Sequence, residues 1–109
     1  MTNIVNLTPH TITVVNSDNQ TIREYPSTGV ARVATATTQA GFVDGISIYQ
    51  TIFGSVEGLP DPQDGVFYIV SMVVAQAVSG RQDIIAPDTG PTAYRIDGKI
   101  IGVRQFARY

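Results

Sequence analysis

The longest unbroken apolar run in the chain is VFYIV, Val66 to Val70, rich in β-branched and aromatic side chains. Apolar groups on both faces of a strand require cover on both faces, so this run predicts a central strand. Asp64-Gly65 ahead of it is a turn signal. Ser71 then stands where a helix N-cap belongs, MVVAQAVS follows, and Gly80 is a stop, which predicts a helix over 71–79. A strand that runs through a capping serine into a helix aims backbone N–H groups past its own end, toward an anion or a ligand oxygen.

Elsewhere apolar positions alternate in short stretches separated by turn residues. IVNLTPHTITVV (4–15) reads as a strand that Pro9 interrupts or confines to an edge, because proline cannot donate to a ladder. Asn16–Asn19 is a turn and TIREY returns, which predicts a hairpin. After a turn at Pro26–Gly29, VARVATATT (30–38) alternates as a third strand with Val30, Arg32, Ala34 and Ala36 on one face. QAGFVDG (39–45) reads as a loop or bulged link, ISIYQTIFGSVEGL as two short strands around Gly54, and Pro60–Gly65 as a rigid loop. Beyond the helix, DIIAP is a short strand and Asp88–Pro91 a turn. AYRIDGKIIGVRQF makes a final hairpin turning at Asp97-Gly98. The sum predicts an α+β, β-rich single domain over 1–109, with about seven to nine short, mainly antiparallel strands and one principal helix.

A chain of 109 residues has room for one core. Its apolar fraction of 43% and charged fraction of 15% are those of a folded domain. Few charges among many β-branched residues leave edge strands without protecting lysines, so a homo-oligomer, a dimer or a larger closed assembly, is expected. A net charge of −2 argues against duplex nucleic acid, which demands dense cationic contacts. The cations are uneven: six arginines (23, 32, 81, 95, 104, 108) stand against the single Lys99. Arginine's planar fork suits a carboxylate, a phosphate or a base. With no cysteine there is no disulfide, thiolate zinc site or cysteine nucleophile. MTNIVNLT lacks the basic region and long apolar run of a signal peptide. The longest apolar stretch, about a dozen residues around Ser71, is too short for a bilayer. These features predict a cytoplasmic protein without a membrane partner.

His10 is the one histidine, and the nine acidic residues show no ligand spacing, so neither a metal nor a cofactor is expected. Ser71 lies in V-S-M, without the glycines of a nucleophile elbow. Neither G-x-x-x-x-G-K-[ST] nor G-x-G-x-x-G is present. What remains is recognition without catalysis. Arg32, Arg81 and Arg95 are candidates for phosphates, Ser71 and nearby N–H groups for an oxygen, and His10 or Tyr68 for stacking on a base.

Six segments carry a resemblance: N-L-T-P-H-T-I (6–12), P-S-T-G-V-A-R-V (26–33), G-L-P-D-P-Q-D-G (58–65), Y-I-V-S (68–71), R-Q-D (81–83) and Y-R-I-D-G-K-I-I-G (94–102). Together they resemble small phage and prophage proteins that open with the same N-L-T-P-H element. The likeness spans most of the chain in separated blocks and implies a viral or prophage accessory protein acting in a bacterial host cell. In size and in lacking catalytic motifs, the chain is similar to phage anti-defence sponges, which bind the nucleotide messengers of bacterial immunity without cleaving them. The expected function is therefore sequestration of a small cyclic nucleotide, a cyclised ADP-ribose or a cyclic oligonucleotide, by a protein that is not an enzyme. The alternative is an inhibitor that binds a host protein through the low-charge Thr/Val/Ala surface of residues 30–38. A small hydrolase using His10 and a nearby Asp ranks third.

Overall fold

In the computed structural model, which describes residues 2–109, ten strands and one helix follow in chain order. They are β1 (Asn3–Asn6), β2 (Ile12–Val15), β3 (Thr21–Tyr25), β4 (Arg32–Val43), β5 (Ile46–Glu57), β6 (Val66–Ile69), α1 (Met72–Ala77), β7 (Ile84–Pro87), β8 (Tyr94–Ile96), β9 (Lys99–Gly102) and β10 (Phe106–Ala107). This is the predicted β-rich α+β domain with a single short helix.

β6 lies where its two apolar faces require. It is an inner strand of a four-stranded sheet ordered β1-β6-β7-β10, and Ile69 and Val70 are fully buried. Its neighbours β1 and β7 both run parallel to it, and β10 pairs antiparallel with β7. Parallel neighbours need long crossovers. The one from β1 to β6 carries two hairpins, and the one from β6 to β7 carries α1.

α1 is shorter than the predicted span because Val78 already departs from helical geometry (φ −115°, ψ 31°), with Gly80 at φ 100°. It buries Val74 and Ala75 in a cluster with Leu7, Ala31, Tyr68, Val70, Ile84 and Ala86. Val33 and Val56 pack against that cluster from outside the sheet. Outside that cluster Val15 and Val103 are also buried, and a bridge between Val14 and Val103 joins their segments. The Val15 N–H donates to the Val103 carbonyl, and the Val103 N–H to that of Thr13, each at 2.9 Å.

The hairpin β2–β3 forms as predicted, its turn held by Asn16 Oδ1, which accepts the N–H groups of Asp18 and Gln20. The hairpin β8–β9 turns at Asp97 (φ 52°) and Gly98 (φ 80°), the left-handed pair that a two-residue loop needs. Contrary to the sequence reading, the chain then leaves this hairpin, and Phe106–Ala107 returns to the main sheet as β10.

The largest departure lies between residues 32 and 57. Read from alternation alone, the third strand ends at Thr38 and 39–45 is a link. In the structure β4 continues through Val43, absorbing Ala40 in a bulge between Gln39 and Gly41, and turns at Asp44 (φ 51°) and Gly45 (φ 78°). β5 is likewise one strand, with a register shift opposite Gly54 in place of a break. Two twelve-residue strands thus pair only with each other and form an arm. At its root Gly58 (φ 80°) passes so close to the Val30 carbonyl that a Cβ there would stand 2.6 Å from the oxygen.

Candidate functional site

The N-L-T-P-H element is a knot of hydrogen bonds around one buried amide. Asn6, 1% exposed, donates from Nδ2 to the carbonyls of His10 (2.8 Å) and Tyr25 (2.7 Å). Its Oδ1 accepts from the Thr8 N–H at 2.9 Å and lies 2.7 Å from the Thr8 hydroxyl. Ser27 Oγ donates to the Thr8 carbonyl, and the Thr28 N–H to that of Asn6. Every polar atom of the buried side chain is used, which is what a desolvated amide requires. The element therefore ties the loop after β1 to the chain after β3. His10 takes part through its backbone carbonyl, while the residue itself is exposed.

Most of the arginines have structural partners. Arg81 pairs with Asp83 and donates to the Pro60 carbonyl, so it joins the proline loop to the segment entering β7. Arg95 donates to the carbonyls of Thr89 and Gly90, inside a turn where Asp88 accepts the Gly90 N–H. Gln105, donating to Asp88 at 2.7 Å, and then the Gly90 N–H hold the Asp88 carboxyl below the usual carboxylate range. Arg104 reaches the Thr92 carbonyl and Asn19, with its guanidinium carbon 5.9 Å from the Tyr94 ring centre. Arg108 donates to the Gln82 carbonyl. A guanidinium engaged in this way holds the fold and has little left for a phosphate.

Arg32 is placed differently. It opens β4, is exposed, and stands in register with Glu57 at the root of the arm. Among the described residues the Arg32 side chain has neither a hydrogen-bond nor an ion-pair partner, a condition it shares with Arg23 on β3; the one ion pair is Arg81–Asp83. Arg32 and Glu57 instead line an open groove of about 430 Å³, with Val33 and Ala34 as its apolar part and Ser55 adding a hydroxyl. A second groove of about 440 Å³, lined by Thr2, Asn3, Ile4, Arg23, Glu24 and Tyr25, has the same pair of charges. The Arg32 groove offers a fork for an anion, a carboxylate for hydroxyl groups, and an apolar floor.

The six residues singled out from the sequence do not converge. Tyr68 is 3% exposed and belongs to the main core, so its ring cannot stack on a ligand. Ser71 makes no side-chain bond to the helix end, and α1, at six residues, spans less than about two turns. The anion site expected there has little helix behind it. Ser71 and the Asn6 knot lie at the carboxyl edge of the parallel strands, as does the turn that Arg95 closes, whereas Arg81 precedes β7 at the opposite edge. Arg81 and Arg95 are scaffold residues here. Arg32 keeps the free head group that recognition needs, and His10 keeps an exposed ring. Sequence reading misses Ser55 and Glu57, because only the hairpin register brings them beside Arg32.

Among the described residues no helix is long and apolar enough to cross a membrane, and no group of three or more His, Cys, Asp or Glu is placed to hold a metal ion. No protein-family model, curated protein or solved structure matches the chain, and the Arg32 groove stands on its own geometry.

Proposed function

We propose that this protein binds and sequesters a small cyclic nucleotide without cleaving it, as a homo-oligomeric phage anti-defence protein in the cytoplasm of a bacterial host. The observation that carries the reading is the unpartnered Arg32 beside Glu57 and Ser55 in an open groove. A guanidinium fork meets a phosphate in two contacts, and a carboxylate accepts from ribose hydroxyls, so the two charges together suit a sugar phosphate better than a simple anion. The resemblance to phage proteins supplies the biological setting.

A thermal-shift panel of cyclic nucleotides and cyclised ADP-ribose tests this directly. A ligand at a hundredfold excess over its Kd adds about 2.7 kcal/mol, a rise of about ten degrees or more for a domain of this size. Ligand released by heating should have an unchanged mass. No shift with any member at high micromolar concentration, or recovery of a hydrolysed product, overturns the reading.

A second reading, inhibition of a host protein through a β surface, is favoured by one observation. The residues 30–38 considered for it lie at the base and along one strand of an exposed arm. Stoichiometric retention of one protein from a bacterial lysate, with no nucleotide response, would select it.

A further inference from the structure

The β4–β5 arm is extended well beyond what one copy of the chain can cover. The radius of gyration is 16.2 Å, with extents of 49 × 37 × 20 Å, against about 13 Å for a compact chain of this length. Along β5, alternation puts Ile46, Ile48 and Ile52 on one face and Tyr49 and Phe53 on the other. Cross-strand pairing adds Val43 to the first face and Phe42 to the second. All seven are exposed, Phe42 to 67%, Ile46 to 66% and Tyr49 to 62%. A lone two-stranded hairpin is marginal in water. Beyond its root, where Val33 and Val56 pack on the core, neither outer edge of the hairpin pairs with another strand among the described residues. Its large apolar side chains are exposed on both faces, and no lysine guards either edge.

We propose that the arm is the self-association element of this protein, each face packing on the like face of another copy about a two-fold axis. This rests on the homo-oligomeric part of the reading above and is independent of the nucleotide. Charge identifies the occupant. From Val33 to Val56 the single charged residue is Asp44 at the tip, so a charged partner would be desolvated without compensation. A second copy presents the same uncharged Thr, Ile and Tyr surface, and interface centres are depleted of charge in this way. Antiparallel packing about a two-fold axis also sends the two Asp44 tips to opposite ends. The area agrees. The seven apolar side chains expose on the order of 800 Å² per copy, the share of one partner in a standard interface. That share is reached only if both faces are covered, so an assembly larger than a dimer follows.

Light scattering on the full chain at tens of micromolar, with one variant per face, tests the proposal. Ile48→Lys and Tyr49→Lys should each lower the mass, and the double variant should run as a single chain with an unchanged far-UV spectrum. Ile100→Lys, at an equally exposed position on β9, should keep the wild-type mass. If the wild type is oligomeric and the double variant keeps its mass, the arm is overturned while the oligomeric reading stands. A wild-type single chain overturns both, whether or not it captures a protein from a lysate.

Discussion

Arg81 and Asp83 meet in two contacts, Nε to Oδ1 at 3.0 Å and Nη2 to Oδ2 at 2.6 Å, and the same Nη2 reaches the Pro60 carbonyl at 3.0 Å. The Asp83 side chain is 14% exposed and the Arg81 side chain 25%. Two residues apart in sequence, they clip the proline loop onto the strand that follows the helix.

That clip makes stability depend on pH with a definite sign. The hydrogen bond from Arg81 holds the Asp83 carboxyl below its ordinary value, against the opposing cost of burial. Its contribution is complete above the unfolded value of about 3.9 and is lost as pH falls through the lower native value. Asp83→Asn should cost about 1–3 kcal/mol at neutral pH and should flatten this part of the acid loss. Urea melts of both proteins at neutral pH and at about pH 3 measure it. Equal deficits at the two pH values would contradict the ion pair.

Asn6 should tolerate no substitution. Asn6→Ala removes the partners of the His10 and Tyr25 carbonyls and of the Thr8 N–H. Asn6→Asp keeps the shape but turns an oxygen toward two carbonyls. Each should cost about 3 kcal/mol or more. His10→Ala, four residues away, should stay within about 0.5 kcal/mol. Denaturant midpoints for the three variants decide whether the N-L-T-P-H element is scaffold, as the hydrogen bonds indicate.

Gly45 and Gly58 have nearly the same φ, 78° and 80°, but different surroundings. A Cβ at Gly45 meets nothing within 4 Å, whereas at Gly58 it meets the Val30 carbonyl at 2.6 Å. Gly45→Ala should cost only the left-handed backbone penalty, about 1–2 kcal/mol. Gly58→Ala should cost clearly more, since backbone must move. Similar melting temperatures for the two variants would mean that the root of the arm yields easily.

Arg32→Lys separates recognition from scaffold. If the groove takes a phosphate, losing the two-point fork should weaken binding by about 1.5–3 kcal/mol, roughly ten- to a hundredfold in Kd. The melting temperature of the empty protein should not move, because Arg32 supports no other group. Arg81→Lys should behave in the opposite way, lowering the melting temperature of the empty protein. Arg23→Lys, in the second groove, is the control for a nonspecific cation effect. An unchanged affinity in Arg32→Lys removes that residue from the site.

Local patterning carries much of this protein. The run VFYIV demands cover on both faces and so marks the central strand, Gly80 marks the stop after the helix, and Asp97-Gly98 marks a hairpin. Each is a property of a few adjacent residues. Asp44-Gly45 is as clear a turn signal as Asp97-Gly98, but Gln39-Ala40-Gly41 breaks the alternation ahead of it and Gly54 breaks it after, and only pairing along the whole of β4 and β5 reveals the arm. The parallel register of β1, β6 and β7 has no local signature, since it depends on crossovers that bring distant segments together. The candidate site divides in the same way. Arginine's aptitude for anions is chemistry that sequence alone supplies, but tertiary packing decides which arginines are free. Arg81 finds Asp83 and Pro60, Arg95 finds two turn carbonyls, and Tyr68 is taken into the core. Arg32, at the start of the strand that continues into the arm, is left with an exposed side chain that has no hydrogen-bond or ion-pair partner among the described residues, as is Arg23 on β3.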